Sequence, residues 1–186
     1  MTLPTRIEGF AIVSEDGMLA DSHGIMPKEL KFEADQKYFA DGMDRCDAAI
    51  HGRHSHEMQP HSPRRYRITV TGGVATIARD PDNPTGILWN PRGTSFGEAW
   101  SALGLSGGSL GVVGGTSVFG MFLDQYDAFH LTRAPSVRLP NGRPVFPDVP
   151  QFTPEQVMEK HGLAPGPKET LDAAHGLVVT VWSRQK

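Results

Sequence analysis

An acid on an apolar helix face is the first feature of chemical interest. Phe32, Asp35, Phe39 and Met43 are spaced three, four and four residues apart, which puts them on one stripe of a helix. A carboxylate in such a stripe is costly to bury unless something specific pairs with it. A cleft ligand with paired N–H donors, such as an aminopyrimidine edge, would be that partner. The same spacing also allows a slightly rotated helix, with Asp35 solvated beside Lys31 or Lys37.

Two glycine-bearing motifs offer phosphate chemistry. In Val112-Val113-Gly114-Gly115-Thr116-Ser117-Val118-Phe119 an apolar run ends in two glycines, and a helix is expected directly after them. Glycines let backbone approach a ligand closely, and the free N–H groups of a helix start suit a pyrophosphate. The same residues also serve as a tight turn that binds nothing. Gly52-Arg53-His54-Ser55 again follows an apolar run, with the fork of Arg53 and the hydroxyl of Ser55 suited to phosphate oxygens. A 2′-phosphate would be a fitting partner and would mean NADPH rather than NADH. A solvated basic loop is the alternative.

Other chemistries find less support. His51, His54, His56 and His61 invite metal ligation, but no H-E-x-x-H or Cys-His framework accompanies them, and His51 should point inward from a strand end. No metal is expected. The single cysteine, Cys46, is expected in a polar turn with no assigned base; no G-x-S-x-G elbow occurs, and no catalytic carboxylate pair stands out.

The 186 residues, 38% apolar and 21% charged, fit a single globular domain over residues 1–186. A formal charge of -3 and a pI near 6.2 argue against a nucleic-acid partner bound by phosphate neutralisation, while leaving room for a local basic pocket. One cysteine excludes an internal disulfide. No signal-peptide pattern occurs, and no apolar run approaches the roughly 20 residues that span a bilayer, so a cytoplasmic location without a membrane partner is expected.

The elements that must position these residues alternate between apolar runs and helical patterns, which predicts crossover units in a largely parallel sheet. Strands are expected at Ile7 to Val13, Ala48 to His51, Tyr66 to Thr71, Gly86 to Trp89, Leu110 to Val113 and Ala128 to Thr132. Helices are expected at about Lys31 to Met43, from the Ser95 cap through Leu103, at Ser117 to Leu123, and at Thr153 to His161 with Pro154 in its first turn. Asp21 to Pro27, Gly72 to Gly86 with room for one short strand, and Pro135 to Pro150 read as loops. Glu169 to Ala174 and Leu177 to Trp182 read as an antiparallel hairpin around His175-Gly176. The sheet should therefore be mixed, parallel within and antiparallel at one edge.

This succession resembles dihydrofolate reductase over roughly Ile7 to Asp148. The matching pieces are Asp16-Gly17-Met18-Leu19-Ala20, Met26-Pro27, Asp35 with Phe39, Gly52-Arg53-His54-Ser55, Val113-Gly114-Gly115, Leu131-Thr132 and Phe146-Pro147-Asp148. The resemblance implies a three-layer α/β/α fold and NADPH as cofactor. It makes Asp35 the acid on the pterin's amino-pyrimidine edge, supported by Thr132. Phe39 would pack on the bound ring, Met26 would sit in the closing loop, and Arg65 is a looser match for the residue that takes a folate carboxylate. Toward the cofactor it implies Arg53, His54 and Ser55 on phosphates and Thr71 beside the 2′-phosphate. Gly114, Gly115, Thr116 and Ser117, with Val118 and Phe119 after them, would line the pyrophosphate. Ile12 and Leu19 would meet the nicotinamide carboxamide through their backbones.

Three positions depart from that pattern: Lys28 stands where the family usually has Trp, Thr116 replaces a third glycine, and Phe119 replaces a Tyr. The segment Leu139-Pro140-Asn141-Gly142-Arg143-Pro144, with Ser14-Glu15-Asp16-Gly17 and Asp47-Ala48-Ala49-Ile50, looks more like the riboflavin-biosynthesis reductase domain. The leading expectation is an NADPH-dependent oxidoreductase acting on folate or another pteridine. The alternatives are the same chemistry on a riboflavin-precursor pyrimidine, or a non-catalytic nucleotide- or pterin-binding module of this fold. The expected partner is a small heterocyclic substrate, and a homodimer is compatible with the sequence.

Overall fold

In β1 (Arg6–Ser14) successive side chains go to opposite faces of a sheet, and that alternation builds both cores. A computed structural model describes residues 2–55 and 62–185. Ile7 and Val13 join the larger cluster, with Trp100, Phe119, Tyr126 and Phe129, whereas Phe10 and Ile12 join smaller clusters on the other face. That other face is covered by α1 (Glu33–Met43), whose Phe39 and Met43 pack on Phe10. The larger cluster is closed by α2 (Phe96–Ala102), α3 (Thr116–Met121) and α4 (Pro154–Lys160), which contribute Trp100, Phe119, Val157 and Met158. Three layers, α/β/α, result.

Among the described residues the main sheet has nine strands. Next to β1 on one side lies β7 (Ser109–Gly114), then β3 (Ala48–Gly52), β4 (Tyr66–Val70), β6 (Gly86–Trp89) and β5 (Ile77–Arg79). On the other side lie β8 (Ala128–Ala134), β11 (Leu177–Arg184) and β10 (Leu163–Asp172). The strands from β8 to β6 run parallel, and β10 and β11 form the expected antiparallel hairpin. A short second ladder pairs β2 (Met18–Ala20) with β9 (Arg143–Pro144).

Three expectations need correction. The sheet is antiparallel at both edges, because a turn in which Asp80 and Asn83 accept from Asp82 N and Thr85 N folds β6 back along β5. The first helix starts at Glu33, after a separate 3₁₀ turn at Lys28–Leu30 whose Leu30 is fully buried and anchors the chain. The hairpin begins at Leu163, since an edge strand tolerates Pro165 and Pro167, with a register shift between Pro165 and Lys168.

Candidate active site

Asp35 sits in the first turn of α1, where free N–H groups favour a carboxylate, yet its side chain faces the sheet. Burial wins: it pushes the carboxyl up to about 6, with the Thr132 side chain acting in the opposite sense. Of the two lysines that could have solvated it, Lys37 is turned instead to Asp41, with its Nζ 2.6 Å from the carboxylate. Thr132 is buried on β8 opposite Ile12 of β1. Phe39, predicted to pack on a bound ring, is half-buried with its edge on Phe10, centroids 6.1 Å apart.

The two glycine motifs meet. His51 at the end of β3 is in register with Gly114 at the end of β7, so both loops leave the same edge of the sheet. Gly114 has φ +115 and a cis peptide joins it to Gly115. A Cβ on Gly114 would lie 2.8 Å from the Phe119 ring, and one on Gly115 would lie 3.3 Å from Oγ of Ser55. A Cβ on Gly52 would come 4.0 Å from Gly115 N. The loops thus approach each other through bare backbone. Arg53 and His54 are exposed beside them, with Arg53 Nε donating to His54 Nε2 at 3.1 Å. Thr71 follows β4 at this edge; its hydroxyl oxygen accepts from Gly73 N, which leaves the O–H free to donate.

The register explains where a flat ring could enter. β1 pairs with β7 only as far as Gly9 and Val112, but with β8 as far as Ser14 and Ala134. Beyond Gly9 the sheet therefore opens between β1 and β7, and Ile12 lies on that length of β1. This is the point where chain connections diverge to either side of the sheet, the usual place for a ligand crevice. Leu19 is carried on β2, and β9 holds β2 through Met18 and Ala20. Met26 projects from the Asp21–Pro27 loop, 38% exposed.

Several expected contributors take other roles. Val118 and Phe119 are buried in the core, Phe119 packing its ring under Gly114 and donating its N–H to Gly115 O, so both support the turn from beneath. Thr116 donates its hydroxyl to the carbonyl of Pro144 on β9, tying that strand to the glycine turn. Its amide and those of Ser117 and Val118 open a helix of only six residues, so the dipole contribution is small. Arg65 lies before β4 at the opposite, amino edge of the sheet, buried and bonded to Asp44 at 3.1 Å, beside a surface hollow of about 300 Å³.

Cys46 follows α1 in a turn, as expected, but its side chain is buried with Met43 and Ala49, and burial pushes its thiol up to about 12. His51 points inward as expected and bonds Arg67 at 2.7 Å. His56 and His61 lie outside the described residues. Among the described residues no three His, Cys, Asp or Glu side chains group as metal ligands do.

One polar group went unforeseen. Tyr38 on α1, His130 on β8 and Glu8 on β1 meet beneath the helix, all within the same layer as Asp35. Glu8 and His130 each fall within a run read as a strand, but neither run shows which helix covers it.

No protein-family model matches the sequence, and no curated protein matches it significantly. Solved structures do. A dihydrofolate reductase from Enterococcus faecalis complexed with NADP(H) matches with a TM-score of 0.65 at 14% identity, covering 100% of both chains. A pyrimidine reductase-like protein from Corynebacterium diphtheriae gives 0.66 at 15% identity, covering 97% of this chain and 92% of its own. This chain has the dihydrofolate reductase-like fold. A diaminohydroxyphosphoribosylaminopyrimidine deaminase/5-amino-6-(5-phosphoribosylamino)uracil reductase from Thermotoga maritima gives 0.69 at 14% identity, with 98% of this chain matched to 57% of that one. Among the described residues no helix of the chain is long and apolar enough to cross a membrane.

Proposed function

We propose that the chain is an NADPH-dependent reductase that passes hydride to a C=N carbon of a pteridine or folate-like heterocycle. One observation carries this reading. Asp35 is a carboxyl that burial pushes up to about 6 and that only Thr132 favours in its charged form. Such a group gains from a ligand that offers N–H donors or a proton. Where the β3 and β7 loops meet, the Gly52 and Gly115 backbones with the Ser55 hydroxyl beside Gly115 suit a diphosphate, and Arg53 and Thr71 suit a 2′-phosphate beyond it.

When bound, NADPH would supply the hydride. Asp35 accepts the amino and ring N–H donors of the substrate and, as an anion, favours the protonated ring nitrogen. Thr132 helps hold that anion. The substrate carbon would gain that hydride and the adjacent ring nitrogen a proton arriving through water, while Asp35 and Thr132 hold the ring in place. The opening between β1 and β7 aligns the rings and excludes bulk solvent.

A second reading, reduction of a ribosylated aminopyrimidine, is supported by the names of the Corynebacterium and Thermotoga neighbours. The two separate by assay. NADPH titration comes first, then NADPH consumption with dihydrofolate or with a ribosylaminopyrimidine. Turnover of dihydrofolate, lost by roughly 100-fold or more in Asp35→Asn with NADPH affinity nearly unchanged, is the expected result. Turnover of the ribosylaminopyrimidine alone would establish the second reading. NADPH binding without turnover of either would mark a binding module, and no NADPH binding would overturn both.

A further inference from the structure

The Gly52–Ser55 turn stands on two buried basic side chains. His51, the residue of β3 just before Gly52, is 2% exposed. Nδ1 of its imidazole lies 2.8 Å from the Gly52 carbonyl oxygen, and Nε2 lies 2.7 Å from an Nη nitrogen of Arg67. Arg67 is on β4, is itself buried, and donates further to the Ser62 hydroxyl.

These partners decide which ring nitrogen carries the hydrogen. A guanidinium can only donate, so Nε2 accepts from Arg67. A carbonyl oxygen can only accept, so Nδ1 donates to Gly52. The Gly52 oxygen accepts a second time, from Ser55 N at 3.0 Å, which closes the turn. The Gly52–Arg53 peptide is trans. With its carbonyl drawn to the His51 ring, the Arg53 N–H must therefore point away from that ring. Among the described residues no group accepts from this N–H. The same turn sets the Ser55 hydroxyl 3.3 Å from where a Cβ on Gly115 would stand.

We propose that His51 is a positioning residue for an anion-binding turn, its ring linking Arg67 to the Gly52 carbonyl and so aiming Arg53 N–H and Ser55 Oγ at a diphosphate. A leucine would fill the same space but leave both the carbonyl and the guanidinium short of a partner. The imidazole bonds the turn's own backbone, which distinguishes it from a histidine that merely fills the core. Fixing the turn before ligand arrives removes an ordering cost from binding. The identity of the anion rests on the NADPH reading; the fixing of the turn does not.

The test begins on the ligand-free chain at neutral pH. A long-range proton–nitrogen NMR spectrum should show the His51 hydrogen on Nδ1, and a hydrogen on Nε2 would overturn the proposal. His51→Leu removes both bonds, whereas His51→Asn keeps an N–H donor near the place of Nδ1. Amide exchange at Ser55 should quicken about tenfold in His51→Leu and return to within about threefold of the parent in His51→Asn, with β8 unchanged. Loss of packing alone would quicken exchange generally and treat the two variants alike, and either result would overturn the proposal. The ligand arm uses 2′-phospho-ADP-ribose, which carries the diphosphate without the nicotinamide. Its Kd should rise about tenfold in His51→Leu and recover in His51→Asn. An unchanged Kd in His51→Leu would overturn the role in binding. A parent chain that binds no such ligand would sink the NADPH reading, while the spectrum and the exchange rates still decide the role of His51 in the turn. Should His51→Leu fail to fold, His51→Gln replaces it: the longer amide can meet Arg67, and exchange at Ser55 should still quicken.

Discussion

Asp35 has a cost that can be measured without any substrate. Its carboxyl is raised to about 6 in the folded chain, from 3.8 for the unhindered group, so between those values the folded protein binds more protons than the unfolded one. Stability contributed by the neutral form is therefore present below about 4 and lost as pH rises through about 6. Asp35→Asn should be more stable than the parent by roughly 2 kcal/mol at pH 7, with the gain fading toward pH 4. Urea unfolding at both pH values checks this, and a gain independent of pH would remove burial of charge as its cause. The acid could be found from sequence because its signal is local, three and four residues from apolar neighbours on one helix. His130 and Tyr38, 92 positions apart, carry no such signal. Their meeting depends on which strand the helix covers.

At the scale of elements, legibility again follows the range of the interaction. Ser95 and Thr153 were both read as helix starts, and each forms a complete capping box, with Glu98 and Gln156 respectively. These contacts span three residues. Ser95→Ala should lower stability by about 1 kcal/mol, seen as a lower denaturation midpoint at unchanged slope. A changed slope would mean that the unfolded or native ensemble had altered instead. By contrast β9 and the first half of β10 exist through partners elsewhere in the chain, whereas β5 pairs with β6 directly after it. β9 is two residues long, yet it ties β2 on one side and Thr116 on the other. Nothing in Arg143-Pro144 alone marks it as a strand, and Pro165 and Pro167 argue locally against one in β10.

For the molecule as a whole, the alternation of runs and helical patterns was enough to give the layered parallel sheet and the terminal hairpin. It did not give the strand order, which fixes where the crevice opens. That order leaves Phe10–Ser14 of β1 supported from the β8 side after its ladder with β7 ends. The consequence is a built-in reporter of occupancy. Backbone amides along this stretch and at Val113–Gly115 should exchange with deuterated water faster than those of β8 and β11, whose ladders are complete. Saturating dinucleotide should slow them selectively, read by mass spectrometry of peptic fragments. Uniform slowing across every strand would instead mean that ligand merely tightens the fold everywhere.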